Sequence, residues 1–167
     1  IGLLEEISEE AILANADPED ENGDGISGRP SWLPDGQLGR YGWKANIPTV
    51  SDFVADALFN EMGITVHASL SPFTGEDTDS CPDPEVGDDD FTAMSFFLMG
   101  LAAPSVDPDA ANANTQGMSL FTETGCASCH TPELDGVPLF SDLLLHDVAP
   151  DAFVLVEQDP GVSATEY

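Results

Sequence analysis

The spacing of apolar residues in the first third of the chain predicts two helices separated by a long loop. Over residues 3–15 the apolar positions recur at helical spacing, with Ser8 as a cap that would split the run. Residues 51–62 form a second, amphipathic pattern, which Ser51 would cap and Gly63 would end. The stretch between the two patterns is rich in Asp, Gly and Pro and is expected to be irregular.

Two more helical patterns follow in the second half of the chain. One covers about residues 90–102 and begins behind three aspartates, whose charge suits the positive end of the helix dipole. The other covers about residues 109–124. Beyond it, prolines interrupt the chain, and only 142–147 and 151–157 could form short helices. The sequence therefore predicts a mainly α protein with long irregular loops and little β structure.

A loop rich in proline and acidic residues, 71–90, is the best candidate for a boundary within the chain. It separates a helical and loop region at 1–75 from a region at 76–167 that carries a cysteine motif. A length of 167 residues suits one domain, or two small ones that share a cofactor. Because the chain opens and stops abruptly, we expect a processed or truncated piece that is incomplete at its C-terminus.

Charge narrows the range of partners. Acidic residues outnumber basic ones by 32 to three, so the formal net charge is −29 and both nucleic acid and anionic membranes would be repelled. No stretch approaches the length of a membrane-spanning apolar segment. An acidic surface of this kind is typical of proteins from a saline habitat. It would also suit docking to a basic redox partner or the binding of divalent cations, and these interpretations are compatible. The three bases are expected to form internal salt bridges or to contact cofactor propionates: Arg29, Arg40 and Lys44.

The chemistry of the chain centres on Cys-Ala-Ser-Cys-His at 126–130. Cys-x-x-Cys-His is the attachment pattern of haem c. Two intervening residues let one tight turn bring Cys126 and Cys129 to the two vinyl groups as thioethers, and His130 then points its imidazole at the iron. The preceding helix places Gly117 and Phe121 on one face, as in cytochrome c domains. We therefore expect one covalent haem c in a cytochrome-c-like region.

The cysteines also allow two alternative kinds of site. Cys-x-x-Cys alone could be a thiol redox pair or half of a zinc site, although no second Cys or His pair stands at usable spacing. Cys81, the third cysteine, is expected to be a buried thiol or to pair with a cysteine outside this chain.

The sixth iron ligand is harder to assign. No methionine follows Met118, and the one downstream histidine, His146, is a candidate sixth ligand, a haem-pocket residue, or a structural hydrogen-bonding group. Upstream candidates also exist, although core packing accounts for the helical methionines among them as well: His67, Met94, Met99 and Met118. An open sixth position, which would permit peroxide chemistry, is a further alternative.

An acidic, glycine-rich loop near the N-terminus resembles the first half of a calcium loop. Side-chain oxygens of Asp20, Asn22 and Asp24 occupy its first, third and fifth positions, a glycine follows, and the carbonyl of Ile26 stands at the seventh. The twelfth position is Ser31, which excludes a full EF-hand. The alternative is an Asx-rich turn that binds no metal.

These features together resemble the di-haem oxidoreductase family related to bacterial cytochrome c peroxidases. The stretches that carry the resemblance are Gly2-Leu3-Leu4-Glu5 with Ala14 to Pro18 and Gly23-Asp24-Gly25-Ile26-Ser27-Gly28-Arg29, Leu38-Gly39-Arg40-Tyr41-Gly42-Trp43-Lys44-Ala45, Gly125 to Pro132, and Phe140-Ser141-Asp142-Leu143-Leu144-Leu145-His146-Asp147. The resemblance implies that 126–130 is the family's second haem motif and that His146 lies in its Ser-Asp…His-Asp segment. It also implies a calcium site between two haem domains and an exported protein.

The resemblance predicts a haem protein that transfers electrons and is located in the periplasm or outside the cell. One haem motif stands where the family has two, so a second haem domain would lie on another chain or on sequence beyond this one. A peroxidase-like enzyme with an open sixth iron position is the first alternative. A subunit of a larger multi-haem assembly is the second.

Overall fold

The computed structural model describes residues 1–105 and 108–148, and its regular secondary structure is mainly α-helical, connected by long loops. It contains α1 (Glu9–Leu13), α2 (Val50–Met62), α3 (Asp88–Met99) and α4 (Pro108–Glu123). Two 3-10 turns, Gly2–Glu5 and Cys126–Ser128, and one small antiparallel sheet complete the regular structure of the described residues; its strands are β1 (Glu133–Leu134) and β2 (Val137–Pro138). The mainly α class predicted from the sequence is confirmed.

The chain divides into two compact units that both draw on separate parts of the sequence. The first unit comprises Ile1–Glu6 and Trp32–Leu101, and the second comprises Ile7–Ser31 and Ala102–Tyr167. The acidic glycine-rich loop and the cysteine motif therefore belong to the same unit. The domains expected at 1–75 and 76–167 stay a prediction.

Helix α2 is the centre of the first unit. It begins one residue earlier than the sequence predicted, because Thr49, and not Ser51, is its N-cap: the Thr49 hydroxyl oxygen accepts a hydrogen bond from the Asp52 N–H at 3.1 Å. The helix ends as predicted at Gly63, which adopts a left-handed conformation with φ 68°. One face of α2 packs on α3 in a core formed by Tyr41, Ile47, Val50, Val54, Ala55, Leu58, Val66 and Phe91.

Helix α3 starts two residues before the predicted position, so that Asp88, Asp89 and Asp90 form its first turn. These carboxylates lie where the helix dipole favours negative charge. The helix is apolar on several sides but buries only Phe91 and Ser95, and its exposed large side chains include Phe96 and Phe97.

Hydrogen bonds of Ser8, the N-cap of α1, connect the N-terminal and C-terminal parts of the second unit. Ser8 caps α1 as predicted: its hydroxyl oxygen accepts from the Ala11 N–H at 3.3 Å. The same hydroxyl donates to the Asp135 carboxylate at 2.8 Å, and the Ser8 N–H donates to that carboxylate at 2.9 Å. Asp135 lies in the tight turn between β1 and β2, with φ 52°, and Gly136 follows with φ 80°. The cap of α1 thus depends on the turn of a hairpin 127 residues later.

The prediction of a short helix at 142–147 is wrong. These residues are extended or bent, and Leu145 forms an antiparallel bridge with Arg29 through hydrogen bonds of 2.9 and 3.0 Å. Leu143 has a positive φ of 61°, which no helix accommodates. The leucine run is buried because it pairs with the chain after the glycine-rich loop, so tertiary pairing prevails over helical propensity. The helix expected at 151–157 lies outside the described residues.

None of the helices in residues 1–105 and 108–148 combines the length and apolar character needed to cross a lipid bilayer.

The assignment of the α2 cap leads to a stability prediction. Replacing Thr49 by Ala should lower the free energy of unfolding by about 1 kcal/mol, because the Asp52 N–H at the helix start loses its acceptor. Replacing Ser51 by Ala serves as the matched control and should change that free energy by less than about 0.5 kcal/mol. Urea unfolding of both variants measures the difference, and equal losses would show that the cap is misassigned.

Candidate haem attachment site

The Cys-x-x-Cys-His motif begins directly after α4. Gly125, with φ 87°, turns the chain out of the helix into the 3-10 turn Cys126–Ser128. The carbonyl of Cys126 accepts hydrogen bonds from the N–H of Cys129 and, at 3.0 Å, from the N–H of His130. These two bonds hold both cysteines and the histidine on one compact turn. Attachment of haem to this turn stays a prediction.

His130 is exposed, but its orientation is fixed by one hydrogen bond. Its Nδ1 lies 3.1 Å from the carbonyl oxygen of Phe140. A carbonyl oxygen can only accept, so Nδ1 carries a proton, and in the neutral ring the lone pair then lies on Nε2. This is the tautomer that a neutral imidazole needs to bind a metal through Nε2. Phe140 adopts a left-handed φ of 56°, an uncommon conformation for an aromatic residue, and its carbonyl faces the histidine.

The Phe121 ring lies beside this histidine, and the Phe140 ring packs on Phe121. The Phe121 ring centroid is 6.4 Å from that of His130 and 5.6 Å from that of Phe140, and the two phenylalanines meet edge to face at 89°. Phe140 remains 45% exposed, and other large apolar side chains of α4 are also exposed in this unit: Met118 and Leu120. The exposed apolar side chains of this unit, together with the Phe121 ring beside His130, are groups that could contact a flat apolar ring such as a porphyrin.

The surroundings of the Cys129 thiol disfavour its charged form. All three cysteines are free. Burial raises the pKa of Cys129, and the carboxylates of Asp142 and Asp24 raise it further, so the thiolate is disfavoured. Among the described residues, one group of three Cys, His or acidic side chains brings its ligand atoms within 4.8 Å, and it does not contain this motif. A thioether carries no charge and is not penalised by these carboxylates.

His146 is buried and bonded through both ring nitrogens. Its Nδ1 lies 2.6 Å from the carbonyl oxygen of Ser27, and its Nε2 lies 3.0 Å from a carboxylate oxygen of Asp142. The Asp142 carboxylate raises the pKa of His146 through its hydrogen bond, against a lowering by burial, and the Ser27 carbonyl adds to the increase. The two ring nitrogens of His146 therefore connect the end of the glycine-rich loop to the 142–146 segment. A role as sixth iron ligand or haem-pocket residue stays a prediction, and iron ligation would require one of these bonds to break.

In the glycine-rich loop, the side-chain oxygens expected to bind calcium accept backbone N–H groups. Asp20 accepts from Gly25 at 3.1 Å, and Asn22 accepts from the Asp24 N–H at 2.8 Å. Asp24 accepts from the Ile26 N–H at 2.9 Å. The Asn22 and Asp24 bonds span two residues and are Asx-turns, whereas the Asp20 bond spans five residues and closes the loop. The carboxylates keep further lone pairs for a cation. The calcium site at Asp20, Asn22, Asp24 and the Ile26 carbonyl stays a prediction.

The remaining candidates from the sequence lie in different places. Met118 belongs to α4 of the second unit, whereas Met94, Met99 and His67 belong to the first unit. His67 is exposed, and its Nδ1 lies 2.6 Å from the hydroxyl oxygen of Ser69. The bases lie inward: Lys44 is only 1% exposed, and Arg40 donates to the Leu4 carbonyl at 2.7 Å.

One cluster of three carboxylates was not predicted from the sequence. Carboxylate oxygens of Asp77, Asp79 and Glu85 lie within 4.8 Å of one another. Asp77 accepts the Asp79 N–H, which lowers its pKa, but partial burial and the neighbouring carboxylates raise it overall. The expected buried position of Cys81 is wrong, since this thiol is exposed, and the Asp79 carboxylate raises its pKa. The dense run of acids at 76–90 was the only signal, and it gives no spacing that predicts convergence.

The raised pKa of His146 gives a pH dependence. Its folded pKa lies above the unfolded value of about 6.5, so its stabilisation is complete below that pH and is lost as pH rises through the folded value. Asp142→Asn should therefore reduce the free energy of unfolding by about 1–2 kcal/mol more at pH 5.5 than at pH 9, on the order expected for a charged hydrogen bond.

Urea unfolding across this pH range measures the effect. Asp147→Asn removes the same charge from the exposed residue next to His146. Its free energy of unfolding should differ from that of the wild type by the same amount at every pH. If both variants gave the same pH profile, the His146–Asp142 bond would not be the origin of the dependence.

Comparison with known proteins supports the family inferred from the motifs. A search of curated proteins and a search of solved structures each found no match. A family model described as "Di-haem oxidoreductase, putative peroxidase" matches residues 1–137, a span that includes the glycine-rich loop and the complete cysteine motif. The chain belongs to this di-haem oxidoreductase family.

Proposed function

We propose that this chain is an electron-transfer protein that carries one covalent haem c in a cytochrome-c-like region. Its family membership makes a redox role with haem the general expectation. The observation that carries the more specific proposal is the hydrogen bond from His130 Nδ1 to the Phe140 carbonyl. That bond leaves Nε2 as the metal-binding nitrogen, one residue after the second cysteine of an attachment motif.

Each residue of the site has a distinct part in this proposal. Cys126 and Cys129 fix the porphyrin through two thioethers, and His130 binds the iron from one side. The Phe140 carbonyl orients the imidazole and makes its Nε2 more basic, and so a stronger ligand for iron. The Phe121 ring lies beside the imidazole and packs on the Phe140 ring, so the two rings offer apolar contact on the histidine side. When bound, the haem supplies an iron that alternates between Fe(III) and Fe(II).

A peroxidase-like enzyme with an open sixth iron position is the second candidate. Two observations favour it: the family description names a peroxidase, and both nitrogens of His146 are engaged by protein groups. The electronic spectrum separates the two candidates. High-spin iron would favour the enzyme, whereas low-spin iron in every redox state would leave electron transfer.

The proposal includes a partner. The family is di-haem, and this sequence contains one Cys-x-x-Cys-His motif, so we propose a second haem domain on another chain or on residues outside this sequence. Such an arrangement also accommodates a larger multi-haem assembly. The net charge of −29 and the inward placement of Lys44 favour a basic docking surface on a separate redox partner.

Calcium and an exported location complete the proposal. The glycine-rich loop keeps the sequence of oxygen donors of a half calcium loop, and calorimetric titration with Ca²⁺ tests it. Location in the periplasm or outside the cell rests on the haem c motif and on the resemblance to a family of exported proteins. Recovery of the haem-loaded chain in the cytoplasmic fraction only would contradict that location.

Replacement of the two motif cysteines tests haem attachment directly. The wild-type chain from native material should have an intact mass, under denaturing conditions, that exceeds the polypeptide mass by one haem. Cys126→Ala with Cys129→Ala should remove this excess completely, because no thioether can form. Mass spectrometry with the optical spectrum of the same sample measures both attachment and iron ligation.

Cys81→Ala is the matched control, since it removes an exposed thiol of the first unit and should retain the full haem mass. A wild-type mass equal to the bare polypeptide, or zinc held by the native thiols, would contradict the proposal.

The basic partner predicts a strong effect of salt. The rate of electron exchange with a cationic redox protein should fall about tenfold or more between low and physiological ionic strength, because long-range attraction to the acidic surface is screened. Stopped-flow kinetics with a small neutral reductant provides the control and should show little change. A rate independent of salt with the cationic protein would exclude electrostatic docking.

A further inference from the structure

The Thr124 hydroxyl lies beside the first cysteine of the attachment motif. Its Oγ1 is 3.4 Å from the Sγ of Cys126, a separation suited to a hydrogen bond that involves sulfur. Gly125 stands between the two residues with φ 87°, so the chain turns sharply after α4 and brings the Cys126 side chain beside Thr124. This contact connects the end of α4 to one of the two thiols of the motif.

The neighbouring carbonyls decide which of the two groups donates. The Thr124 hydroxyl donates to the Leu120 carbonyl oxygen at 2.7 Å, whereas the Phe121 carbonyl lies farther away at 3.5 Å. A carbonyl oxygen is a stronger acceptor than sulfur, so the single hydroxyl proton stays with Leu120. The lone pairs of the Thr124 Oγ1 remain, and the Cys126 S–H donates to them.

This bond restricts a side chain that would otherwise be mobile. The Cys126 thiol is exposed, and an exposed side chain samples several χ1 rotamers. Thr124 offers a fixed acceptor, because its own hydroxyl is bonded to Leu120. S–H···O bonds are weak, but a bond of this kind changes the population of the rotamer that it favours by about 2- to 5-fold.

We propose that Thr124 is a positioning residue for haem attachment, which orients the Cys126 thiol for its reaction with a haem vinyl group. This inference rests on the proposed haem function and adds to it a residue outside the Cys-x-x-Cys-His motif. In the reaction the S–H adds across the vinyl double bond: the sulfur bonds to one vinyl carbon and the other gains a hydrogen. The addition consumes no oxidant or reductant. An oriented thiol reacts faster because less conformational freedom is lost in the reaction.

The rate of attachment in cells that assemble haem c tests the proposal. Samples of the full chain are unfolded at intervals after haem is supplied, and an alkylating reagent labels each cysteine that has not yet formed a thioether. Peptide mass spectrometry assigns the label to Cys126 or Cys129. Thr124→Val removes the hydroxyl and keeps nearly the same shape, so the rate at Cys126 should fall about 2- to 5-fold. The rate at Cys129 should not change.

Thr122 provides a matched control. It is also exposed, and its hydroxyl donates in the same way to the Met118 carbonyl at 3.1 Å, but its described hydrogen bonds include none to a cysteine. Thr122→Val should therefore leave the rate at Cys126 at the wild-type level. Thr124→Ser keeps the hydroxyl and should restore most of that rate, which would show that the hydroxyl, and not the methyl group, is responsible.

A second measurement requires no haem. The three-bond couplings between the Hα and Hβ protons of Cys126, measured in the full chain before haem is attached, report the populations of its χ1 rotamers. The wild type and Thr122→Val should each show one dominant rotamer. Thr124→Val should show values averaged over several rotamers.

Three results would overturn the positioning role. One is an equal rate at Cys126 in the wild type and Thr124→Val, and another is an equal fall at both cysteines, which would indicate a general disturbance of the turn. The third is an averaged coupling of Cys126 in the wild type. A wild-type chain that never acquires covalent haem would contradict the proposed function itself and the positioning role with it, and the couplings would then still show whether the bond to Thr124 forms.

Discussion

The second unit depends on the two hydrogen bonds of the buried His146. They connect the Ser27 carbonyl, at the end of the glycine-rich loop, with the Asp142 carboxylate 115 residues later in the sequence. The bridge between Arg29 and Leu145 runs beside them. A histidine with a raised pKa can donate to both acceptors at once, which a neutral imidazole cannot do. These bonds fix the position of the whole 140–146 segment.

That segment in turn fixes the candidate haem ligand. Its first residue, Phe140, offers the carbonyl that sets the tautomer of His130, and the strained φ of Phe140 directs that carbonyl. Leu143 carries a second positive φ in the same segment. Conformations of this kind persist only where surrounding contacts impose them, and they concentrate at functional sites. The orientation of His130 therefore comes from tertiary structure, although the motif itself is local.

Local rules predicted the helices well and the segment at 142–147 poorly. Helix periodicity, Ser8 and Gly63 determine elements through contacts within one or two turns, and these expectations held. Thr49 prevailed over Ser51 as a cap, which is a shift within the ordinary uncertainty of helix ends. The leucines at 143–145 have the pattern of a helix, but their pairing with Arg29 requires a partner more than a hundred residues away. Long-range pairing, and likewise the bond to Phe140, leaves no periodic trace in the sequence.

The distribution of charge has a consequence for the whole molecule. With 32 acidic side chains and three basic ones, each cation has many carboxylates to pair with. Lys44 is almost fully buried, Arg40 bonds a backbone carbonyl, and the buried His146 bonds Asp142. The solvent-facing surface therefore keeps an excess of negative charge, whose field extends about a Debye length into solution. A surface of this kind attracts cations and basic proteins whichever redox reaction the haem performs.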